Sequence, residues 1–301
     1  MREKSDALSE KVKDFYNLNP FPDFDINKYS TLDDLKEQAG WFFRLLDFYI
    51  PGHAKIIDTG CGTGQLTCLL AAQTREVLGI DFSENSLKKA ELLKQKLNLS
   101  HVRFQKNDLF KLGLPEESFD YTFCCGVLHH TPDPYLGFKN LVKITKNGGF
   151  IIIGLYNRYG RLFLRIRRLL LRHFSKNNLK RANDLIKKQV GKTEVDQLKI
   201  NSWLLDQYLH PYESVCTIAE ALWWFSATGV TYVNSFPSIE LFKNNMYDNY
   251  IRFQPNPFTK SNEKRWQTNR FALFLKQLQW IITLRDAGGY FIIIGQKQRS
   301  D

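Results

Sequence analysis

The sequence predicts an α/β chain built on a doubly wound, mostly parallel sheet, and three observations predict it. Strand-length apolar runs alternate with helical stretches from Lys55 to Tyr156. The first strand ends in Asp58-Thr59-Gly60-Cys61-Gly62-Thr63-Gly64, with a glycine at every second position before the apolar spacing turns helical. Later strands deliver chemistry to the same edge: Asp81 after the second, Asp108 after the third, Gly126 to His130 after the fourth, and Tyr156, Asn157 and Arg158 after the fifth. Glycines suit such a loop because the backbone turns sharply there and a ligand approaches closer than any side chain permits.

Taken in order, residues 1–50 read as a cap. A charged helix gives way to Phe15, Tyr16, Pro20, Phe21, Pro22 and Phe24, where the prolines forbid a continuous helix. A second helical stretch, with apolar Trp41, Phe42, Leu45, Leu46, Phe48 and Tyr49, leads to Pro51-Gly52. The core at 54–157 then reads strand 55–58, helix 64–73, strand 77–81, helix 83–97 with Ser83 or Ser86 as its start signal, and strands 102–105 and 120–125. Asp133-Pro134 opens a helix to about Lys146, Asn147-Gly148-Gly149 turns, and 150–156 is an almost wholly apolar fifth strand. A basic helical insertion at 158–212 interrupts the alternation. Core units resume at 213–235 with a helix from Glu213 to Thr228 and a strand from Val230 to Asn234. A second insertion, 236–287, is rich in Asn, Pro and aromatics and ends in a helix near Asn262 to Arg285; a last strand fills 288–298. Gly-Gly-Phe-Ile-Ile-Ile-Gly at 148–154 and Gly-Gly-Tyr-Phe-Ile-Ile-Ile-Gly at 288–295 read as two central buried strands rather than a repeat. All of this fits one elaborated domain.

Composition bounds the rest. With 301 residues, 43% of them hydrophobic, the chain can bury a full core. Its net charge of +11 is local: Arg158 to Lys188 holds eleven basic residues and one acid, Asp184. Five cysteines without CxxC spacing, a charged amino terminus without an apolar signal region, and apolar runs no longer than a strand predict a cytoplasmic protein with reduced thiols.

The glycine loop fails two common nucleotide patterns. A dinucleotide fingerprint places glycine or alanine where Gln65 stands, and a phosphate loop needs Lys and Ser or Thr where Gln65 and Leu66 stand. What remains, D-x-G-x-G-x-G with Asp81 and Asp108 at the next strand ends, closely resembles the class I S-adenosylmethionine-dependent methyltransferases from Ala54 to about Tyr156. The resemblance implies a seven-stranded Rossmann-like methyltransferase sheet whose last strand is antiparallel, with the cap and two mostly helical insertions added. It also implies roles. The loop Asp58, Gly60, Cys61, Gly62 and Gly64 wraps the amino-acid end of S-adenosyl-L-methionine. Asp81, followed by Phe82, takes the ribose hydroxyls; Asp108 with Leu109 reads the adenine; the loop from Gly126 to His130 faces the methyl. Carboxylates suit a ribose diol and a sulfonium far better than the lysines a phosphate demands.

Methyl transfer from an activated donor mainly requires alignment and exclusion of water, with a base added when the acceptor must lose a proton. His130 and His129 are the candidate bases, and pocket lining is their alternative role. His210, in Asp206-Gln-Tyr-Leu-His-Pro-Tyr-Glu213, is the next candidate, against bracing a helix start. Tyr16, Tyr156, Asn157 and Arg158 are candidate substrate contacts. No metal is expected, because adjacent histidines seldom converge on one ion and no third ligand has the right spacing. Of Cys124 and Cys125, which alternate across a strand, at most one can approach the pocket. The expected partner is a small-molecule or lipid-like acceptor methylated at oxygen or carbon; RNA methylation and a non-catalytic cofactor-binding scaffold are the alternatives.

The basic helix leaves three readings open. Arg161, Arg165, Arg168 and Arg172 fall on one stripe beside a broad leucine arc over 161–174. That pattern suits peripheral contact with an anionic membrane, a phosphate-binding strip for RNA, or a lid with leucines packed inward and arginines in water.

Overall fold

β-Branched side chains suit a pleated sheet buried on both faces, and Ile and Val fill the central runs of this chain. The computed structural model describes residues 2–71, 74–174, 197–239, 256–259, 269–284 and 288–299. The strands are β1 (Lys55–Thr59), β2 (Glu76–Asp81), β3 (Val102–Lys106), β4 (Phe119–Cys125), β5 (Thr145–Tyr156), β6 (Val230–Phe236) and β7 (Tyr290–Lys297). They form one seven-stranded sheet in the order β3-β2-β1-β4-β5-β7-β6. Pairing is parallel from β3 to β5, and β7 runs antiparallel between β5 and β6. The chain reverses direction across the sheet between β1 and β4. Their carboxyl ends therefore open the crevice in which such sheets bind ligands.

The helices are α1 (Arg2–Leu18), α2 (Leu32–Gln38), α3 (Trp41–Tyr49), α4 (Gln65–Leu70), α5 (Glu84–Lys96), α6 (Pro134–Ile144), α7 (Leu162–Phe174), α8 (Gln197–Leu204), α9 (Ile218–Ala227) and α10 (Arg270–Thr283); a π-helical turn, Leu205–Leu209, extends α8. Local chemistry sets several starts. Ser83 accepts the Ser86 amide to cap α5, and Asp133 accepts the Leu136 amide to cap α6 with Pro134 in the first turn.

Two boundaries differ from the sequence reading for a clear local reason. Helix α6 stops at Ile144, not Lys146, because Thr145 already pairs with Phe119; a register shift follows before Tyr121 meets Phe150, and Asn147 to Gly149 lies inside β5. Helix α9 begins at Ile218 rather than Glu213, set by a reciprocal capping box between Thr217 and Glu220. The expected helix at 262–285 is described only as α10, and residues 260–268 lie outside the described ones, as do 175–196 and 240–255 of the two insertions.

Side chains of opposite parity pack on opposite faces of the sheet. On one face Ile56, Val77, Phe123, Ile152 and Ile294 join Phe24, Tyr29, Leu35 and Leu46 from the amino-terminal segment, so the cap belongs to the core. On the other, Cys124, Ile151, Ile153 and Ile293 pack against Phe138, Ile218, Phe225 and Trp280 from α6, α9 and α10. Each fully buried aliphatic or aromatic side chain contributes roughly 1.5–3 kcal/mol.

Helix α7 keeps Leu164 inward and Arg165 outward, as expected of a lid, but departs from that pattern at two arginines. Arg161 is fully buried and Arg168 turns inward with it, while Leu162, Ile166 and Leu169 are exposed. Neither a cationic outer stripe nor a lid with outward arginines describes this helix at Arg161 and Arg168. The physical reason is a buried carboxylate, Glu213, which would be far costlier unpaired than the leucines are in water.

Candidate active site

The glycine loop lies between β1 and α4, and Gly60, Gly62 and Gly64 all have positive φ, at 73°, 53° and 80°. Gly62 is the most constrained: a Cβ there would stand 2.1 Å from the Phe21 carbonyl oxygen. The close approach at this glycine is made by the amino-terminal segment. Thr63 donates its hydroxyl to the Pro22 carbonyl at 2.6 Å, and Ser83 donates to the Tyr16 carbonyl at 3.1 Å, so residues 16–22 run across the loop.

Two acids flank the loop. Asp81 accepts the Gly62 amide on Oδ2 at 2.9 Å and the Ser83 amide on Oδ1 at 2.8 Å, which fixes its carboxylate and leaves a lone pair on each oxygen. Burial raises its pKa against these amides, which favour the charged form. Asp58 accepts the Thr67 hydroxyl at 2.7 Å; burial, helped by the charge of Asp81, raises it to about 7.

A cavity of about 510 Å³ opens above these acids, within the roughly 300–1,000 Å³ usual for small-ligand sites. Asp58, Gly60, Cys61, Gly62, Asp81, Phe82, Gly126, His130, Tyr16 and Tyr156 all line it. Cys125 reaches the cavity while Cys124 is core, as strand alternation requires. A Cβ on Gly126, whose φ is +84°, would meet nothing within 4 Å; its absence keeps the cavity floor open. A second cavity, of about 490 Å³, lies at the opposite edge of the sheet, beside Pro51, Asp120 and Gly148, away from the glycine loop.

Other candidates fall elsewhere. Asp108 is exposed and accepts the Phe110 amide at 2.8 Å, and Leu109 packs near Gly137; neither lines the cavity. Asn157 is fully buried with its side chain bonded to Gln277 and to the amides of Tyr159 and Gly160, a structural brace at the end of β5. Arg158 points away and pairs with Glu220 at 2.9 Å. Strand alternation turns Asn157 away from the face of Tyr156, and Arg158, beyond the end of β5, is drawn off by Glu220. His129 and His210 are buried beside His130 without lining the cavity.

The far wall holds a buried polar cluster. His130 Nδ1 lies 2.9 Å from the Tyr212 carbonyl, which can only accept, so Nδ1 carries the proton and Nε2 presents a lone pair. That lone pair is 3.7 Å from Asp206 Oδ1. Asp206 Oδ1 accepts the Tyr16 hydroxyl at 2.8 Å, and Oδ2 accepts Gln207 Nε2 at 3.0 Å. Burial lowers His130 to about 4 and raises Asp206; for Asp206 the neighbouring His210 and the Tyr16 bond oppose the shift. His210 stacks on His130 with ring centroids 3.7 Å apart and accepts the Tyr212 amide on Nδ1 at 3.1 Å, leaving its proton on Nε2. Burial, reinforced by His130, lowers it to about 3. Behind the cluster, the Arg161 guanidinium lies 3.4 Å from the centroid of the Tyr156 ring and bonds Glu213, Gln207 and the Gly288 carbonyl. Arg168 adds a second bond to Glu213 at 3.1 Å.

Residues 51–225, more than half of the chain, match the family described as a methyltransferase domain. The chain belongs to this methyltransferase family. Among curated relatives, an uncharacterized protein of Synechococcus is 27% identical over 76% of this chain and 60% of its own length. Demethylmenaquinone methyltransferase of Staphylococcus carnosus is 28% identical over 50% of this chain and 61% of its own. This chain thus spans about three fifths of these relatives. The structure of PKMT2 from Rickettsia typhi in complex with AdoHcy superposes with a TM-score of 0.61 at 18% identity, covering 94% of this chain and 55% of that one. A likeness at that identity speaks for the fold alone.

S-adenosylmethionine is the cofactor of this methyltransferase, and the site residues fit it. Two fixed carboxylates with unused lone pairs line the cavity beside a loop without lysine, the donor set suited to a diol and a cationic ligand. Residues that the sequence did not single out also line the cavity, among them Asp206, Gln207 and Tyr290. Asp206 sits in the π-helical turn next to the insertion, joined to Tyr16 across 190 residues, and no local spacing announces such a pair. The unusual signal was an acid amid Leu204, Leu205, Tyr208 and Leu209. His130, Asp206 and His210 also bring three possible metal ligands within 4.8 Å, a convergence that the spacing did not foretell. With its proton on Nε2, however, His210 offers no lone pair to a shared ion.

Proposed function

We propose that the protein transfers the methyl group of S-adenosylmethionine to oxygen or carbon of a small, lipid-like acceptor. The observation that carries this reading is a cavity running from the two donor-side acids to largely apolar walls, among them Phe21, Phe43, Leu66 and Trp203, with one buried acid–base cluster. The relatives named demethylmenaquinone methyltransferase support an apolar acceptor of that kind.

When bound, the donor supplies a methyl group already activated on a sulfonium. The chain's own residues do the rest. Asp81 accepts the ribose hydroxyls while its loop bonds hold it still, and Asp58 offers negative charge to the cationic amino-acid end. Phe21 and Tyr16 bring the amino-terminal segment over the cavity and exclude water, which strengthens each charge interaction inside. His130, neutral because burial lowers its pKa to about 4, presents Nε2 to take a proton from an acceptor that must lose one. Asp108, Leu109, Asn157, Arg158 and His129 act, in this reading, through packing and bracing. An RNA acceptor finds less support, because Arg161 and Arg168 turn inward to Glu213 and do not present a cationic stripe to a phosphate backbone.

Calorimetric titration with S-adenosylmethionine tests the donor half: binding that Asp81→Ala weakens by about 100-fold is expected, and no binding to the folded protein overturns it. Release of S-adenosylhomocysteine with fractionated cell extract tests the acceptor half. Activity with the lipid fraction is expected. Activity with RNA alone, or donor binding without turnover on any fraction, overturns it in favour of an RNA enzyme or a scaffold.

A further inference from the structure

We infer that the outer faces of α7 and α10 together form a docking surface that lies in the interface of an anionic lipid bilayer.

Helix α10 carries the observation. Phe271, Phe274, Leu275, Leu278 and Ile282 are all exposed, from 36% at Leu275 to 76% at Ile282. At about 100° per residue these five positions fall within one arc roughly 100° wide. A surface helix ordinarily turns such a stripe to the core, and here it faces outward. The opposite face is already committed: Leu273 and Trp280 lie in the core, and Gln277 accepts the Ile218 amide at 3.0 Å and the Asn157 side-chain amide at 2.9 Å. The helix cannot roll its outer stripe inward without breaking those bonds. No helix among the described residues is long and apolar enough to cross a membrane, so this stripe belongs to a surface contact.

Helix α7 extends the stripe. Leu162, Ile166 and Leu169 are exposed at a spacing of four and three residues, which keeps them on one side of the helix. Tyr159, whose carbonyl accepts the Leu162 amide, meets Phe274 of α10 with ring centroids 5.8 Å apart. The two outer faces join at that contact.

Charge selects the occupant. Neither helix contains an acidic residue, and the exposed Arg165 and Arg270 border the stripes. Arg158 to Lys188, with eleven basic residues and one acid, holds nearly all of the net charge of +11, and only Arg158, Arg161 and Arg168 of these are drawn off by Glu220 and Glu213 in the ion pairs described above. A second copy of this chain would bring the same arginines face to face with no acid on either helix to answer them. Nucleic acid would answer the charge and leave the apolar stripe in water. Anionic headgroups take the arginines while the acyl region takes the phenylalanines and leucines.

The surface stands one helix away from the acceptor cavity. Leu164, on the inner side of α7, packs with Leu204 and Tyr208, and Trp203 beside Leu204 lines the cavity. On the proposed reading of the reaction this placement brings an acceptor with an apolar body from the bilayer to the site that uses it. The docking surface itself does not depend on that reading.

The test is co-sedimentation of the whole protein with vesicles of phosphatidylcholine, alone or with about 30% phosphatidylglycerol. Binding to the anionic vesicles is expected to be at least about ten-fold tighter than to the neutral ones and to weaken as salt is raised. Phe271→Ser combined with Ile282→Ser should weaken it by about ten-fold or more, and Arg165→Gln combined with Arg270→Gln by about five-fold. S-adenosylhomocysteine affinity should be kept in both variants, since none of the four side chains lines the cavity. Absence of binding to the anionic vesicles, or equal binding to both kinds, overturns the proposal. Binding that survives the Phe271 and Ile282 changes overturns it in favour of the basic segment acting by charge alone. A dimer in light scattering that dissolves in that same variant overturns it in favour of a second copy. A loss of stability in urea unfolding as large as a core truncation causes, in Phe271→Ser or Ile282→Ser alone, shows that the chain itself covers the stripe and overturns it as well. Vesicle binding is read without donor or acceptor, so its failure leaves the methyltransferase reading untouched, and failure of that reading leaves the surface standing.

Discussion

The donor side and the acceptor wall of the same cavity are built on different principles. The donor side is assembled from a strand end, seven consecutive residues and an acid about twenty positions on; its key bonds, Asp81 to the Gly62 and Ser83 amides, use backbone. The acceptor wall is assembled from side chains of α1, the loop after β4, the end of β5, the π-turn and the segment before α9. Tyr16 and Asp206 are 190 residues apart, Arg161 and Glu213 are 52 apart, and their bonds are side chain to side chain. Backbone-built sites tolerate neighbouring substitutions but are rigid in conformation. Side-chain networks of buried charge depend on every member being present.

The largest expected effect falls on the wall. Arg161→Met leaves Glu213 with Arg168 as its remaining ion-pair partner and should lower stability by up to about 3–5 kcal/mol in urea unfolding, with part of the loss recovered when Glu213→Gln is added. Equal losses in the single and double variants would show that the guanidinium acts by packing on Tyr156 instead. On the donor side, Asp81→Ala should weaken donor binding by about 100-fold, roughly two charge-assisted hydrogen bonds, with Asp108→Ala costing much less. Similar losses for the two variants in calorimetry would restore Asp108 to the binding site.

Gly62→Ala tests the contact between the regions. A methyl placed 2.1 Å from the Phe21 carbonyl, at a φ of 53°, should displace the amino-terminal segment and cost about 1–3 kcal/mol. Faster proteolysis within residues 15–25 should accompany it; unchanged cleavage and stability would mean that the loop yields instead.

The smallest effect is in pH. The folded pKa of Asp58, about 7, stands above its ordinary value of 3.8, so the carboxyl's contribution to stability is complete below about pH 4 and is lost as pH rises toward 7. Ionisation favours a cationic ligand, so donor affinity should rise between pH 6 and 8, by less than about ten-fold per unit. The rise should be absent in Asp58→Asn, and a rise that persists there would assign it to another group.

The two regions also differ in how far they could be read in advance. The succession of strands and helices, the caps at Ser83 and Asp133 and the donor loop were legible because each follows from local pattern: alternation, a capping side chain, or a glycine run after a strand. The α7 arginines were misread for the opposite reason. Periodicity places Arg161 and Arg168 together on one face, but it cannot say that Glu213 waits opposite them, and solvent is the default partner of a charged stripe. His210 was legible as a nearby residue and its stacking on His130 was not. Asn157 and Arg158 shared a strand end with Tyr156, and only the packing of α10 and α9 decided that they brace the structure, through Gln277 and Glu220.

By itself the sequence laid out the succession of strands and the loop, because backbone geometry and short-range spacing are written in consecutive residues, and its resemblance to a known family implied the donor. The tertiary structure alone decided which charges face the cavity and which are consumed in pairs. Burial makes the cost of an unpaired charge large, and the partner that relieves it is set by chain segments that meet only when the fold closes.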